Sequence, residues 1–267
     1  MRSGGGNLRV AVHNGCPPLV KLSGQADFHN RHRIERAFDR LIAAGHTLVQ
    51  ADLGGLEYLD SSAVSALIIS ATRAGEVGGA IELTAVARPV SRVLNLCGAA
   101  AFFVSRTGEV PVCRERDARL PSENYWHVSD FSFPAAPESA ALARARVSSV
   151  VRALPLSLAD SEDVMIAVGE ALANAIKHGC RCDPERRVWV KCVAGPGRLA
   201  IDIMDRGGGF DPEEVGKAPV GVPLQGGMGI YMMRQLMDEV SFTFSDATVT
   251  RLVKYIPGAE ADGISTS

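Results

Sequence analysis

Three polar side chains recur at four-residue intervals in the second half of the chain, in the segment Glu170-Ala-Leu-Ala-Asn174-Ala-Ile-Lys-His178-Gly179. The segment lies in an apolar-periodic stretch, residues 164–176, that predicts an α-helix. At about 3.6 residues per turn, residues four apart share one face of such a helix. A carboxylate and an amide on the same stripe are suited to a general base and a metal ligand.

Two glycine-containing segments follow in the chain. The first, Asp205-Arg-Gly207-Gly-Gly209-Phe210, comes directly after a predicted strand at 199–204 and turns a carboxylate and bare backbone toward a ligand. The second, Gly226-Gly227-Met228-Gly229-Ile230, opens a predicted helix. Free amide groups and the positive dipole end of a helix favour phosphate there. Each segment alone is weak evidence for a ligand site, but the ordered set of three is strong evidence.

The elements that must position these segments also follow from the pattern. We expect a strand from residue 125, an amphipathic helix at 138–154, the motif helix, strands at 187–193 and 199–204, a helix at 229–238 and strands as far as 256. The stretch 211–225 is rich in Gly and Pro and predicts a mobile lid over the ligand site.

The ordered triple resembles the N, G1 and G2 boxes of the GHKL ATPases. The Glu-x-x-x-Asn-x-x-x-His form, and the later run Gly229-Ile-Tyr-Met-Met-Arg-Gln-Leu-Met-Asp238-Glu-Val, are similar to those of the anti-sigma factor serine kinases. The resemblance covers about residues 131–255. It implies an α+β sandwich of the GHKL/HATPase type that binds ATP and Mg²⁺.

The resemblance implies a role for each polar residue of the segments. Glu170 is the general base, Asn174 holds Mg²⁺, and Asp205 accepts a hydrogen bond from the adenine amino group. His178 contacts phosphate in this pattern, although a histidine at a helix end can instead satisfy last-turn carbonyls, and both interpretations stay open. The remaining ATP-binding positions lie beside the base, beside the phosphates and on the adenine-side strand: Gly207 and Gly209, Gly227 and Gly229, and Thr248.

The first half carries a different signal, Asp52-Leu-Gly-Gly-Leu-Glu-Tyr-Leu-Asp60-Ser61-Ser62-Ala63, in which a buried strand runs into a loop and a helix starts at Asp-Ser-Ser. With Arg88-Pro-Val-Ser-Arg-Val-Leu-Asn-Leu-Cys97-Gly98, it resembles the STAS domain of anti-sigma factor antagonists over about residues 8–103. In that family the first serine accepts phosphate, which implies Ser61 as phosphoacceptor. Asp and Ser are also preferred helix caps without any chemistry. The family usually has Gly where this chain has Ala63, and we expect its methyl group to narrow access to the helix start.

The pattern of the first half alternates between strand and helix. Strands are predicted at 8–13, 19–22, 47–53 and 80–86, and helices at 28–44, 62–74 and 90–96. This alternation predicts an α/β domain with a mixed sheet and helices packed against it. The chain is thus expected to hold a STAS domain at 1–106, a linker at 107–124, a GHKL/HATPase-like domain at 125–257 and a disordered tail at 258–267.

The bulk composition is that of a soluble globular protein. The 267 residues are 46% hydrophobic and 22% charged, with a formal net charge of −2. This balance gives no electrostatic case for nucleic acid, and no apolar run reaches the length of a bilayer span or a secretory signal. We therefore expect a cytoplasmic protein whose six cysteines are reduced thiols. A zinc site at Cys180 and Cys182 is disfavoured because it lacks a second spaced ligand pair.

The two resemblances together imply an ATP-dependent protein serine kinase fused to its own STAS substrate-like domain, acting in partner-switching control of transcription. The partners they imply are a sigma factor, separate STAS antagonist proteins and a PP2C-type phosphatase in the pathway. Dimers are common in the resembled kinases, so a homodimer through the kinase domain is a further expectation. The competing class is a non-catalytic module that binds ATP, transfers nothing and docks on partners.

Overall fold

The computed structural model describes residues 8–104, 112–113, 127–195, 197–207 and 227–256. These fall into two compact units, the first comprising 8–104, 112–113 and 227–228, and the second comprising the remainder. Gly209, the predicted lid at 211–225 and the predicted tail at 258–267 lie outside the described residues. None of the helices in these ranges is both long and apolar enough to cross a bilayer.

The first unit is a mixed five-stranded sheet with helices, as the alternation of patterns predicts. The strand order is β1-β2-β3-β4-β5, with β1 antiparallel to β2 and the other neighbours parallel. The elements in chain order are β1 (Arg9–His13), β2 (Leu19–Ala26), α1 (His32–Ala43), β3 (Leu48–Leu59), α2 (Ser61–Glu76), β4 (Ala80–Ala87), α3 (Arg88–Leu96), a 3₁₀ turn (Ala99–Phe102) and β5 (Val112–Cys113).

Helix α1 starts four residues later than the predicted start at 28. The preceding segment is held as turns by side chains that bond to the backbone. The amide of Asp27 donates to Asn30 Oδ1 at 3.0 Å, and the Asn30 amide group donates to the Gln25 carbonyl at 2.9 Å. The backbone of Phe28 donates to Asp60 Oδ2 at 2.8 Å, across 32 positions of sequence. These competing bonds replace the first turn of the predicted helix.

Strand β3 is the second difference, because it continues through the glycines where the sequence predicts a loop. Its pairing with β2 extends to Leu59, with register shifts along the way. At Gly55 a Cβ would lie 2.8 Å from the Cβ of Ser23, so the glycine allows close strand approach rather than a turn. The strand therefore delivers Asp60 directly to the start of α2. A further difference is that Val112 and Cys113, inside the predicted linker, pair with β4.

The second unit is an antiparallel five-stranded sheet with helices, ordered β6-β7-β8-β10-β9. The elements in chain order are β6 (His127–Pro134), α4 (Ser139–Val151), α5 (Leu158–Asn174), a π-helical turn (Ala175–Gly179), β7 (Arg187–Gly195), β8 (Arg198–Asp205), α6 (Met228–Leu236), β9 (Glu239–Phe244) and β10 (Thr248–Tyr255). This is the α+β arrangement that the sequence predicts.

Alternation along two central strands explains which polar residues are buried. In β8 the buried side chains are Leu199, Ile201, Ile203 and then Asp205, because residues two apart share a face. The same face of β10 carries Thr248, Thr250, Leu252 and Lys254, directly opposite those residues in the antiparallel register. The apolar layer thus ends in a polar pair, Asp205 and Thr248, at one edge.

Candidate functional site

Helix α5 positions the first candidate segment, and its ends are well defined. Its N-cap, Ser157, accepts a hydrogen bond through Oγ from the amide of Asp160 at 3.0 Å, as N-cap serines do. Glu170, about three and a half turns beyond Ser157, is only 2% exposed. Asn174, the last residue of α5, is half-buried and lies one turn beyond it on the same face. The carboxylate and amide stripe predicted from spacing is therefore present.

His178 does not continue this α-helical stripe. Residues 175–179 form a π-helical turn, in which the amide of Cys180 donates to the Ala175 carbonyl five residues back, at 2.8 Å. The wider turn changes the angular position of every residue that follows it. His178 is exposed, and partial desolvation and the neighbouring Lys177 charge lower the pKa of its imidazole. Its predicted phosphate contact stays a prediction.

Glu170 lies against the first turn of α6. A Cβ built on Gly229 would fall 2.4 Å from Glu170 Oε2 and 3.4 Å from its carboxyl carbon. Only a residue without a side chain can bring its backbone so near to that carboxylate. Two segments that the sequence places 59 positions apart therefore meet at the proposed base.

Asp205 is the centre of a second cluster. Its Oδ1 accepts a hydrogen bond from the amide of Gly207 at 2.7 Å. A Cβ on Gly179 would fall 2.2 Å from Asp205 Cγ, and a Cβ on Gly207 would fall 2.5 Å from Gly179 Cα. Thr248, which is 4% exposed, stands directly opposite Asp205 in the sheet. The predicted adenine-side residues Asp205, Gly207 and Thr248 are thus brought together.

The electrostatics of this cluster follow from its burial. Asp205 is 5% exposed, and desolvation raises the pKa of its carboxyl, an effect that the hydrogen bond from Gly207 partly opposes. The buried thiol of Cys180 also has a raised pKa, first from desolvation and then from the Asp205 charge. Gly179, which lies against the Asp205 carboxylate, and Cys180, whose thiol is affected by its charge, were assigned no role from the sequence. The only signal for Gly179 was its place directly after His178.

The structure describes the two glycines predicted to lie beside the phosphates, and Gly229 lies against another candidate site residue. Gly229 is buried in the first turn of α6, while Gly227, which has a φ of +89°, precedes the helix and falls in the first unit. A positive φ of this size suits glycine. The roles of Gly227 and Gly209 beside the ligand stay predictions.

A magnesium ion would fit the site at Asn174 only if phosphate oxygens supplied further ligands. Within the ranges that the structure describes, no cluster of three or more His, Cys, Asp or Glu side chains could hold a metal ion. Mg²⁺ is commonly held by one or two protein oxygens together with substrate phosphates and water, and the amide oxygen of Asn174 suits that mode. The cysteines whose side chains are described are free thiols: Cys16, Cys97, Cys180, Cys182 and Cys192.

In the first unit, Ser61 is the first residue of α2 and is half-buried. Asp60, 1% exposed, caps this helix by accepting from the Ala63 amide at 2.8 Å, and its other oxygen accepts from Phe28. Ala63 is fully buried, so its methyl group does not lie over the surface at the helix start. The expectation that this methyl group narrows access to the helix start stays a prediction.

Comparisons with known proteins bear on both units. The family model described as a histidine kinase-like ATPase domain matches residues 133–254, and the model described as "Mlab, STAS domain" matches residues 11–105. A serine-protein kinase RsbW from Bacillus licheniformis is 31% identical over 141 residues, which are 50% of this chain and 88% of that protein.

Two solved structures are also similar. One contains the RsbU and RsbW domains of a Mycobacterium tuberculosis protein, with a TM-score of 0.36 and 19% identity over 48% of this chain. This chain spans only 31% of that protein's chain. The other is an anti-sigma factor antagonist from Mycobacterium paratuberculosis, with a TM-score of 0.34 and 21% identity over 37% of this chain and 85% of that one.

The sequence match to RsbW includes most of that kinase, and the ATPase family model covers the residues around Glu170 and Asp205. The chain therefore belongs to the RsbW family of serine-protein kinases, with a histidine kinase-like ATPase domain in its second half and a STAS domain in its first.

Proposed function

We propose that this chain is an ATP-dependent protein serine kinase of the anti-sigma factor type, acting within a partner-switching system. The observation that carries the proposal is the meeting of separate segments around two buried carboxylates. Gly229 lies against Glu170, and Gly179 and Gly207 lie against Asp205. Burial costs a carboxylate its hydration, and buried acids of this kind are often found at functional sites.

In this proposal the Asp205 cluster receives the adenine. Asp205 Oδ1 already accepts from Gly207, so Oδ2 is left to accept from the exocyclic amino group. Thr248, opposite in the sheet, adds a hydroxyl at the same edge. Because both side chains are buried, their hydrogen bonds to the base form out of contact with bulk water, where they discriminate best between bases.

Glu170 orients the attacking serine and takes its proton. The serine oxygen forms a bond to the γ-phosphorus, the bond from that phosphorus to the bridging oxygen breaks, and ADP leaves. Asn174 would hold Mg²⁺, which when bound neutralises charge on the phosphates. The free amides in the first turn of α6 supply further donors to phosphate oxygens.

The proposed acceptor is Ser61, in this chain or in another copy, or the equivalent serine of a separate STAS protein. Ser61 sits at the N-terminus of α2, where a phosphate would meet first-turn amides and the favourable end of the helix dipole. The added charge of about −1.5 to −2 would repel an acidic partner surface, which suits release of a bound partner. A sigma factor and a PP2C-type phosphatase complete the proposed pathway.

Incubation of the full chain with labelled ATP and Mg²⁺ tests the proposal. We expect label in the wild type, in Ser62→Ala as the matched control, and none in Ser61→Ala or Glu170→Ala. Mixing the last two variants separates the routes, since label on Glu170→Ala protein must have crossed between molecules. Intact bound ATP with no label on the chain or on an added STAS protein would favour the non-catalytic module. Capture of a sigma factor with and without ATP tests the partner.

A further inference from the structure

The C-terminal end of α5 is closed in an uncommon way. The π-helical turn at 175–179 is followed by Arg181 and Cys182, whose φ values are +58° and +57°. Residues with a Cβ disfavour this left-handed region, and two in succession are unusual. Unusual backbone of this kind, like π-helical turns, tends to occur at functional sites, where surrounding contacts hold it in place.

Several contacts fix this closure. The amide of Cys182 donates to the Ile176 carbonyl at 2.8 Å, six residues back. The buried thiol of Cys180 donates to the Arg187 carbonyl at 3.7 Å, which ties the segment to β7. An ordinary α-helical end would leave Gly179 in a different place, so the closure decides where its backbone lies.

The result is that Gly179 presses its bare Cα against the Asp205 carboxylate. A Cβ at this position would lie 2.2 Å from both Cγ and Oδ1 and 2.6 Å from Oδ2. Gly207 lies close to both groups, since its own Cβ would lie 2.5 Å from Gly179 Cα and 2.7 Å from Asp205 Oδ1. The carboxylate is thus enclosed by two glycine backbones, with Thr248 facing it across the sheet.

We propose that Gly179 is a positioning residue for purine selectivity, which holds the Asp205 carboxylate so that Oδ2 faces the 6-position of the bound purine and accepts from an amino group there. The inference rests on the proposed nucleotide function and deepens it. Within the described part of the chain, Oδ1 is committed to Gly207 and Oδ2 accepts no hydrogen bond. Adenine offers an amino donor at its 6-position, whereas guanine offers a carbonyl oxygen that a carboxylate repels.

A methyl group at 179 cannot be accommodated without moving Asp205. The 2.2 Å separation is 1.2 Å shorter than the 3.4 Å at which ordinary contact begins. Asp205 has a short side chain and is 5% exposed, so the carboxylate has little room to retreat. We therefore expect Gly179→Ala to weaken MgATP binding by about 10- to 100-fold, the effect of losing one charge-assisted hydrogen bond. MgGTP binding should not weaken in parallel, so the ATP-to-GTP selectivity falls.

Calorimetry on the full chain tests this with three probes: MgATP, MgGTP and magnesium tripolyphosphate, which reports the phosphate end alone. Gly75→Ala is the matched control, because a Cβ at that helical glycine would meet nothing within 4 Å. Gly179→Ala should lose ATP affinity and selectivity while it keeps tripolyphosphate affinity. In an Asp205→Ala background the same substitution should change ATP affinity by less than about threefold, because its target is gone.

An unchanged ATP-to-GTP ratio in folded Gly179→Ala would overturn the inference, as would an equal loss of affinity for all three probes. If this variant fails to fold, Gly207→Ala brings a methyl group into the same space and supplies the ratio. Wild-type protein that binds no ATP refutes the proposed function itself, which is a different result from wild-type binding with a silent Gly179→Ala.

Discussion

Gly229→Ala should displace the carboxylate of the proposed catalytic base, Glu170, with little effect on the stability of the fold. The new methyl group would lie 2.4 Å from Glu170 Oε2, which is 1.0 Å short of ordinary contact. Oε2 is the end of a flexible side chain, so the carboxylate can swing aside and the backbone need not move. Alanine is also the better helix former, by at most about 1 kcal/mol. We expect the free energy of unfolding to change by no more than about that amount.

The chemical step should be far more sensitive. A displacement of about 1 Å in a catalytic group costs on the order of 100-fold in rate. This corresponds to about 2.7 kcal/mol of transition-state stabilisation. Complete loss of a general base costs about 10²- to 10⁴-fold, so Gly229→Ala should fall near the mild end of that range.

Single-turnover transfer of labelled phosphate at saturating ATP measures this step without interference from binding. Glu170→Gln provides the lower limit of rate, and Gly75→Ala, an open helical glycine, provides the control. Chemical denaturation of each variant reports stability. A Gly229→Ala protein that binds ATP and transfers phosphate at the wild-type rate would show that Glu170 is not the base. Loss of folding in Gly229→Ala would contradict the view that the Glu170 side chain can move away from the new methyl group.

Three further outcomes follow from the described contacts. Burial raises the pKa of Asp205, so folding favours the protonated form of its carboxyl. The stability that this contributes is present below the ordinary aspartate pKa and is lost as pH rises through the raised pKa. In urea titrations, the difference in free energy of unfolding between wild type and Asp205→Asn should therefore vary with pH across that window. ATP affinity should fall as pH is lowered through the same window, and an affinity independent of pH there would argue against Asp205 as the acceptor. Asp60→Ala removes a helix cap and leaves the partly buried amide of Phe28 without its acceptor, so the first unit should lose about 2–3 kcal/mol. Asp60→Asn should recover only part of this loss, because its single acceptor oxygen can keep one of the two bonds while its amino group faces the other N–H donor. Lys254→Met removes a buried ammonium that donates to the Leu236 carbonyl at 3.1 Å and pairs with two carboxylates. We expect the free energy of unfolding, measured by thermal or chemical denaturation, to fall by about 1–3 kcal/mol. An unchanged value would mean that packing alone fixes the end of α6.

Much of the fold was predictable because it depends on local periodicity. The strict alternation in β8 places Leu199, Ile201 and Ile203 on the buried face, and the sequence predicts this strand to within one residue at each end. Four-residue spacing likewise puts Glu170 and Asn174 on one face of α5. Where the sequence alone was misleading, a partner distant in sequence decides the conformation. The segment before α1 is held partly by Asp60, and β3 keeps its strand geometry through two glycines because β2 lies beside it.

The candidate site shows the same limit in a sharper form. A motif records which residues are present, and a glycine in it suggests freedom of the backbone or room for phosphate. In the second unit, three glycines instead mark places where the backbone meets an acid: Gly229 at Glu170, and Gly179 and Gly207 at Asp205. Such contacts join residues of different segments, and the spacing of residues within one segment carries no information about them. It follows that each acid and the glycine or glycines against it act as one functional group, so that adding one methyl group at such a glycine should impair the same step as altering the acid beside it.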